Sequence, residues 1–236
     1  MPDKSPKLHI VIPVYNEDDN VLRILQQIQV YAIHYLIDYH IYFINDHSDS
    51  VITNINLAHA GTEPDVSVFL SNGHGQQEAI LCGFSKVFHI HADRRNDYVC
   101  TIDCDMQDPV DVLMRMYRTL LKYSDTYDVA IGVRNRREDS LLKRFAANIY
   151  YMLQSLILRK YIPNASNFYI LKVKDIPIMD RDNLSMSLIM KRSVMNYGYN
   201  RHKRACGISK YHMVDLCHIA WMGIRWSLLH NRRECG

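Results

Sequence analysis

The 236-residue chain is 48% hydrophobic and 22% charged, proportions of a folded globular protein that exclude disordered, fibrous and collagen-like classes. Its 28 Lys and Arg against 25 Asp and Glu leave a formal net charge of +3, too small a bias to argue for nucleic acid, so any basic site is local. The length fits one large domain, or one domain with an extension.

The six cysteines, at 82, 100, 104, 206, 217 and 235, form no C-x-x-C pair and lack the density of a secreted disulfide framework, which points to a reducing cytosol. The polar stretch Met1 to Lys7 leads straight into a short apolar run without the longer hydrophobic region of a signal peptide. No stretch reaches the roughly 18 apolar residues of a membrane span. The expectation is a soluble or peripheral protein.

Strand-like runs rich in β-branched and aromatic residues recur in chain order at Leu8 to Val14, His40 to Ile44, Val66 to Leu70, Tyr98 to Ile102 and Val129 to Val133. Between them lie helical stripes such as Ile80, Phe84, Val87 and Phe88, or Leu113, Met116, Tyr117, Leu120 and Leu121. Strands alternating with helices predict parallel pairing with right-handed crossovers. Runs as apolar as HIVIPV and DVAIGV predict a sheet covered on both faces. The fold class is therefore α/β, a doubly wound sheet sandwiched by helices. Residues 140 to 160 have helical spacing, with Phe145, Ile149, Leu153, Leu156 and Ile157 on one stripe, whereas 173 to 205 are irregular and basic and predict loop and short helix.

In such folds ligands bind beyond the carboxyl ends of the strands. Polar residues gather at those ends: Pro13, Tyr15, Asn16 and Glu17 after the first run, Asn45 and Asp46 after the second, Asp103 and Asp105 after the fourth, and Arg134, Arg136 and Arg137 after the fifth. The sharpest signal is Asp103-Cys104-Asp105, followed by Met106-Gln107-Asp108-Pro109. At the end of the strand YVCTI the segment is expected to be extended, with Asp103 and Asp105 projecting to one side and Cys104 to the other. Two carboxylates with the Gln107 amide oxygen make a hard, all-oxygen donor set suited to Mg²⁺ or Mn²⁺, ions that take remaining ligands from water and substrate phosphates. Asp108 and Pro109 read as an N-cap and first helical residue.

These segments carry a resemblance. LHIVIPVYNE (8–17), FINDHS (43–48), GQQEAILCG (75–83), IDCDMQDP (102–109), IGVRNRR (131–137) and RACGISKY (204–211) occur in the order seen in family 2 glycosyltransferases. Most closely, over roughly residues 7 to 225, the chain resembles the dolichyl-phosphate mannosyltransferase and bactoprenol-phosphate glycosyltransferase branch. The resemblance implies a GT-A fold, a Rossmann-like and mostly parallel sheet between helices, and metal-dependent transfer of a hexose, with inversion, from a UDP- or GDP-sugar to a polyprenyl phosphate. It implies that Pro13, Tyr15 and Glu17 line the nucleotide pocket, that Asp46 contacts base or ribose, and that Asp103, Asp105 and Gln107 hold the metal and donor diphosphate. Arg134, Arg144, Arg204, Ser209 and Lys210 would surround the donor and acceptor phosphates, with Asp103, Asp105, Arg134 and Arg204 at the catalytic centre.

Elementary chemistry agrees with that assignment. A lipid phosphate carries roughly 1.5 to 2 negative charges near neutral pH, so its oxygen is already a nucleophile and needs no strong base. Positioning and charge neutralisation then carry the rate: arginine forks grip phosphate, and a divalent ion stabilises the departing nucleoside diphosphate.

The chain departs from the family pattern in several places. Asn45-Asp46 stands where two Asp are usual, and His47 where a glycine is expected; Ser166-Asn167-Phe168 replaces Gly-Asp-Phe, and Asn148 replaces a serine. The segment between Phe168 and Arg204 is shorter than usual. Residues 1–210 are expected to form the catalytic domain and 211–236 an amphipathic extension. Within it Met213 to Leu229, carrying Trp221 and Trp226 and followed by Arg232 and Arg233, is too short and polar to span. It fits either a helix lying in the headgroup region on the cytoplasmic face of a membrane or one packed on the core or a partner. A membrane-anchoring subunit or a second copy is an expected partner; nucleic acid is not. Two other readings stay open: the same fold acting on a glycan hydroxyl, and a weakly active nucleotide-sugar-binding subunit of a membrane complex. Cys100 and Cys104 have no His at zinc spacing, His89-Ile90-His91 reads as a helix end whose imidazoles cap carbonyls, and Asn72-Gly73-His74-Gly75 reads as a turn before a helix.

Overall fold

The computed structural model describes residues 5–73, 75–91, 93–94, 96–135, 165–179, 184–202 and 225. The elements run β1 (Leu8–Val14), α1 (Asn20–Tyr35), β2 (Tyr39–Asn45), α2 (Val51–Ala60), β3 (Val66–Leu70), α3 (Gln76–Ile90), β4 (Tyr98–Thr101), α4 (Val110–Lys122), β5 (Val129–Arg134), β6 (Ala165–Lys172), a 3-10 turn (Val173–Ile178), α5 (Leu184–Lys191) and β7 (Val194–Tyr199). They build a seven-stranded sheet in the order β3-β2-β1-β4-β6-β5-β7.

Only β6 is antiparallel to its neighbours, β4 and β5. Because it reverses direction between them, β5 and β7 run the same way as β1, β2, β3 and β4. The carboxyl ends of six strands and the amino end of β6 therefore meet on one rim. The mostly parallel α/β sandwich expected from the alternation of elements is the architecture observed.

The period-two alternation of β1 explains its coverage. Leu8, Ile10, Ile12 and Val14 pack into one core with α1 residues Val21, Ile24 and Ile28 and α4 residues Leu113, Met116 and Leu120. Val11 turns the other way, into a second core with Tyr42, Ile44, Val99 and the α3 side chains Ala79, Ile80, Phe84 and Val87. Each wholly buried aliphatic or aromatic side chain contributes about 1.5–3 kcal/mol of apolar transfer. α3 lies close on the sheet because Gly83 has no side chain: a Cβ there would sit 2.4 Å from Val11 Cγ1.

Two local expectations are corrected. The fourth strand ends at Thr101, so Asp103 lies beyond it, Cys104 and Asp105 lie in a turn, and Met106 is left-handed with φ 61°. The stretch read as loop and short helix contains β7, paired in parallel with β5 from Val129↔Val194 to Arg134↔Tyr199. β7 is an edge strand that buries only Met195 and Tyr199, so its apolar signal is dilute, and the tertiary pairing defines it. The 140–160 stripe, Arg136, Arg137, Asn148 and, apart from residue 225, the 211–236 extension lie outside the described residues. Among the described residues no helix is long and apolar enough to cross a membrane.

Candidate active site

The site is built at the common rim from loops that follow parallel strands. After β1, Asn16 and Asp18 adopt left-handed φ values of 51° and 35°. This loop is laced to the one after β2: Asn16 N–H donates to Ser48 Oγ at 3.0 Å, Ser50 N–H to Asn16 Oδ1 at 3.0 Å, and Asp18 N–H to Thr53 Oγ1 at 2.8 Å. Pro13 is half-buried, Tyr15 is exposed, and Glu17 accepts from Asn20 Nδ2 at 2.9 Å at the start of α1. All three stand at the end of β1.

Asp46 is buried at the end of β2, with both carboxylate oxygens engaged by the loop before α3. Ser71 Oγ donates to Oδ1 at 2.7 Å and Gly75 N–H to Oδ2 at 2.6 Å. Gly75 has φ 103°, open to glycine and strained for other residues, and it begins α3 as the turn reading of Asn72 to Gly75 expects. His47, where the family pattern has glycine, has φ 57°, and its Nε2 lies 3.2 Å from the Ser71 carbonyl. The conformation that favours glycine is kept, and the imidazole supplies a tie to the same loop.

That loop delivers Gln76, whose Nε2 donates to Asp103 Oδ1. Asp103 Oδ2 accepts from Arg201 Nη2 at 3.1 Å, and the same guanidinium gives its Nε to Asp108 Oδ1 at 3.1 Å. Asp108 also accepts from the Tyr199 hydroxyl at 2.6 Å. The expected cap role of Asp108 is thereby corrected: α4 begins after Pro109 without a side-chain cap bond, and the carboxylate turns inward to β7. Arg134 lies opposite Tyr199 in the β5–β7 register, and its Nε is buried with no hydrogen-bond partner among the described residues.

Asp105 is buried and accepts from Gln107 N–H at 3.1 Å. Gln107 is clipped to the segment after β7: its carbonyl accepts from His202 N–H at 2.8 Å, and its Nε2 donates to the His202 carbonyl at 3.4 Å. The side-chain nitrogen is thus spent, and the amide oxygen remains as the acceptor. Cys104 is buried in the core beneath. Ser166 donates to the Gly132 carbonyl at 3.0 Å, Asn167 is exposed, and Phe168 packs edge-on to Tyr199 with ring centroids 5.3 Å apart.

The electrostatics of the cluster follow from its burial and its charges. Burial first, then Asp108 and Asp105, push the Asp103 carboxyl up to about 7 against the opposing pull of Arg201 and Arg134. Three carboxylates crowd two guanidiniums, and the cluster is short of positive charge. A divalent cation fits that deficit. Among the described residues no three His, Cys, Asp or Glu side chains are gathered to hold a metal alone, so Asp103, Asp105 and the Gln107 oxygen could hold one only with water or substrate phosphates completing the shell. A cavity of 760 Å³ opens beside this cluster, lined by Arg23, Tyr31, Met106, Arg115, Tyr199 and His202 among others.

Of the residues singled out in the sequence, Pro13, Tyr15, Glu17, Asp46, Asp103, Asp105, Gln107 and Arg134 all lie on the rim, whereas Arg144, Arg204, Ser209 and Lys210 lie outside the described residues. Sequence reading missed Gln76, Asp108, Tyr199 and Arg201. Gln76 stood within the quoted GQQEAILCG segment; for Tyr199 and Arg201 the only signal was nearness to the basic stretch before Arg204.

Comparison with known proteins places this doubly wound sheet in a family. The Glycosyl transferase family 2 model matches residues 9–195. The chain is 33% identical over 155 residues to the undecaprenyl-phosphate 4-deoxy-4-formamido-L-arabinose transferase of Klebsiella pneumoniae, covering 65% of this chain and 43% of the relative. It is 32% identical over 152 residues to the same transferase of Erwinia tasmaniensis, covering 63% and 43%. The matched region is thus less than half the length of these relatives. Among solved structures, mannosyl-3-phosphoglycerate synthase from Rubrobacter xylanophilus superposes with TM-score 0.66 at 15% identity, over 97% of this chain and 75% of that one. Glucosyl-3-phosphoglycerate synthase from Mycobacterium tuberculosis, in complex with Mn²⁺, UDP and phosphoglyceric acid, superposes with TM-score 0.65 at 14% identity, over 96% and 78%. The family match runs from β1 through the first residues of β7 and so takes in the sheet and most of the rim, and on it the chain belongs to glycosyltransferase family 2, with the GT-A fold.

Proposed function

We propose that this chain transfers a hexose from a nucleoside-diphosphate sugar to a polyprenyl phosphate, with inversion and with Mg²⁺ or Mn²⁺ as cofactor, on the cytoplasmic face of a membrane. The observation that carries the reading is the under-neutralised carboxylate cluster of Asp103, Asp105 and Asp108 facing Arg201 and Arg134 at the carboxyl ends of the strands. The likeness to undecaprenyl-phosphate sugar transferases supports the lipid phosphate as acceptor, and the Mn²⁺ and UDP held by a structural neighbour support the donor class.

In this reading the loops after β1 and β2 form the nucleotide side: Pro13, Tyr15 and Glu17 line the pocket, and Asp46, which also sets the loop that carries Gln76, contacts base or ribose. Asp103, Asp105 and Gln107 hold the cation, whose chemistry is to stabilise the negative charge on the departing nucleoside diphosphate. Arg134 meets phosphate with its buried Nε. Arg144, Arg204, Ser209 and Lys210 complete the acceptor phosphate site. No side chain is needed as a strong base, because the acceptor oxygen is already anionic. The exposed Asn167, which cannot take a proton, is compatible with such an acceptor.

The test is release of nucleoside diphosphate from a panel of UDP- and GDP-sugars, with and without metal, and with and without a short-chain polyprenyl phosphate. Turnover requiring both lipid and metal is expected. Turnover with a glycan hydroxyl and none with the lipid overturns the acceptor, and absence of donor binding overturns the enzyme reading in favour of a subunit that acts through a partner.

A further inference from the structure

Arg201 holds two carboxylates with two different nitrogens, Nη2 on Asp103 and Nε on Asp108, each at 3.1 Å. Asp108 is the deeper anchor, with 3% side-chain exposure against 21% for Asp103, and it is further fixed by the Tyr199 hydroxyl. The backbone of the next residue, His202, is clipped to Gln107. The guanidinium is thus tethered at one end and bonded to a proposed metal-holding carboxylate at the other.

We infer that Arg201 is a resident counter-cation that occupies Asp103 until the divalent ion arrives, then turns its released Nη2 to the donor diphosphate while Asp108 keeps its Nε. The inference rests on the metal-dependent donor binding proposed above. Charge balance supports it: with the divalent cation in place and Asp103 ionised beside it, three carboxylates stand against Arg201, Arg134 and the ion's two charges, which leaves one positive charge to attract a diphosphate. Arg201 and the ion compete for Asp103, so in the absence of nucleotide the arginine weakens metal binding. Once nucleotide is present, the freed fork strengthens the complex. Metal entry and diphosphate capture are coupled through one side chain. A merely structural arginine would weaken both events when removed; a counter-cation moves them in opposite directions.

The test measures Mn²⁺ affinity without nucleotide by electron paramagnetic resonance, and UDP and GDP affinity at saturating Mn²⁺ by calorimetry, for wild type, Arg201→Gln and Arg201→Lys. For Arg201→Gln, Mn²⁺ alone is expected to bind about tenfold more tightly, the equivalent of one modest ion pair, while the nucleotide bound by wild type binds about tenfold more weakly. Arg201→Lys keeps the charge and so guards against a folding failure of the neutral variant. A single ammonium cannot hold both carboxylates through a fork, so this variant too is expected to bind Mn²⁺ more tightly than wild type, with a smaller loss of nucleotide affinity. Unchanged or weaker Mn²⁺ binding in a folded variant overturns the inference alone. Failure of wild type to bind Mn²⁺ with either nucleotide overturns the underlying reading, and the inference falls with it.

Discussion

Tyr199, the last residue of β7, donates its hydroxyl to Asp108 at 2.6 Å across 91 residues of sequence. The bond ties the edge strand to the loop that carries Asp103 and Asp105. Burial, then Asp108, pushes the pKa of that hydroxyl up to about 12, so it stays a neutral donor. Removing it in Tyr199→Phe leaves a buried carboxylate with one partner fewer, at a cost of about 1.5–3 kcal/mol. The expected result is a lower urea midpoint with an unchanged slope, together with weaker donor binding; unaltered stability would show that Arg201 alone satisfies Asp108.

Gly132 lets the rings behind that bond approach. A Cβ at this position would lie 2.6 Å from Phe168 Cδ1 and 2.9 Å from Tyr199 Cε1. Gly132→Ala is expected to destabilise the protein by about 1–3 kcal/mol through overpacking and to shift Tyr199 away from Asp108. Thermal unfolding checks the first effect, and non-additivity in the double variant with Tyr199→Phe, which should cost less than the sum of the two single variants, checks the second.

Asp105→Asn removes one rim charge and no core volume, and Asn can still accept the Gln107 N–H bond. The fold is expected to persist while Mn²⁺-dependent nucleotide affinity falls by about tenfold or more, since even outer partners of metal ligands have effects of that size. Circular dichroism and calorimetry read the two outcomes separately. Wild-type nucleotide affinity in this variant would remove Asp105 from the metal site.

The opposite rim carries a different chemistry. His9 is buried against Asp97, with 3.2 Å between Nε2 and Oδ2, and its ring lies 4.2 Å from that of His91. The sequence reading of His89 and His91 as caps of helix carbonyls is corrected for His91, whose Nε2 lies 2.7 Å from the Tyr42 hydroxyl. Burial, then His9, lowers the His91 pKa to about 4, so the neutral ring accepts the phenol proton. Between that value and the ordinary 6.5 the unfolded chain binds a proton that the folded chain does not. Stability is therefore full above pH 6.5 and declines as pH falls towards 4. His40, also lowered by burial, adds in the same direction, whereas Asp97, held below its ordinary value, acts only at still lower pH. Urea midpoints measured across this range should fall with acidification in wild type and fall less in His91→Gln.

Much of the molecule was legible in sequence because its signals are local. β1 and β3 have the bounds that their apolar runs predicted, and the alternation of strands and helices gave the doubly wound sheet. The D-C-D-M-Q-D-P segment and the polar strand ends named one rim, since in a parallel sheet every strand delivers its carboxyl end to the same side. Even His47 was marked as a departure, although its left-handed φ of 57° and its tie to Ser71 appear only in the fold.

What sequence alone determined is thus the fold class and the carboxylates at its rim, because hydrophobic period and strand-end chemistry are properties of neighbours along the chain. The tertiary structure decided which charges neutralise them. Asp108 before Pro109 carries the local pattern of a helix start, and nothing near it in sequence indicates Tyr199 or Arg201. These residues reach it only because β6 inserts antiparallel between β4 and β5 and lets β7 pair in parallel at the edge, bringing a segment more than ninety residues away onto the same rim. A partner chosen by sheet topology leaves no periodic trace in either segment, whereas a buried carboxylate must have one.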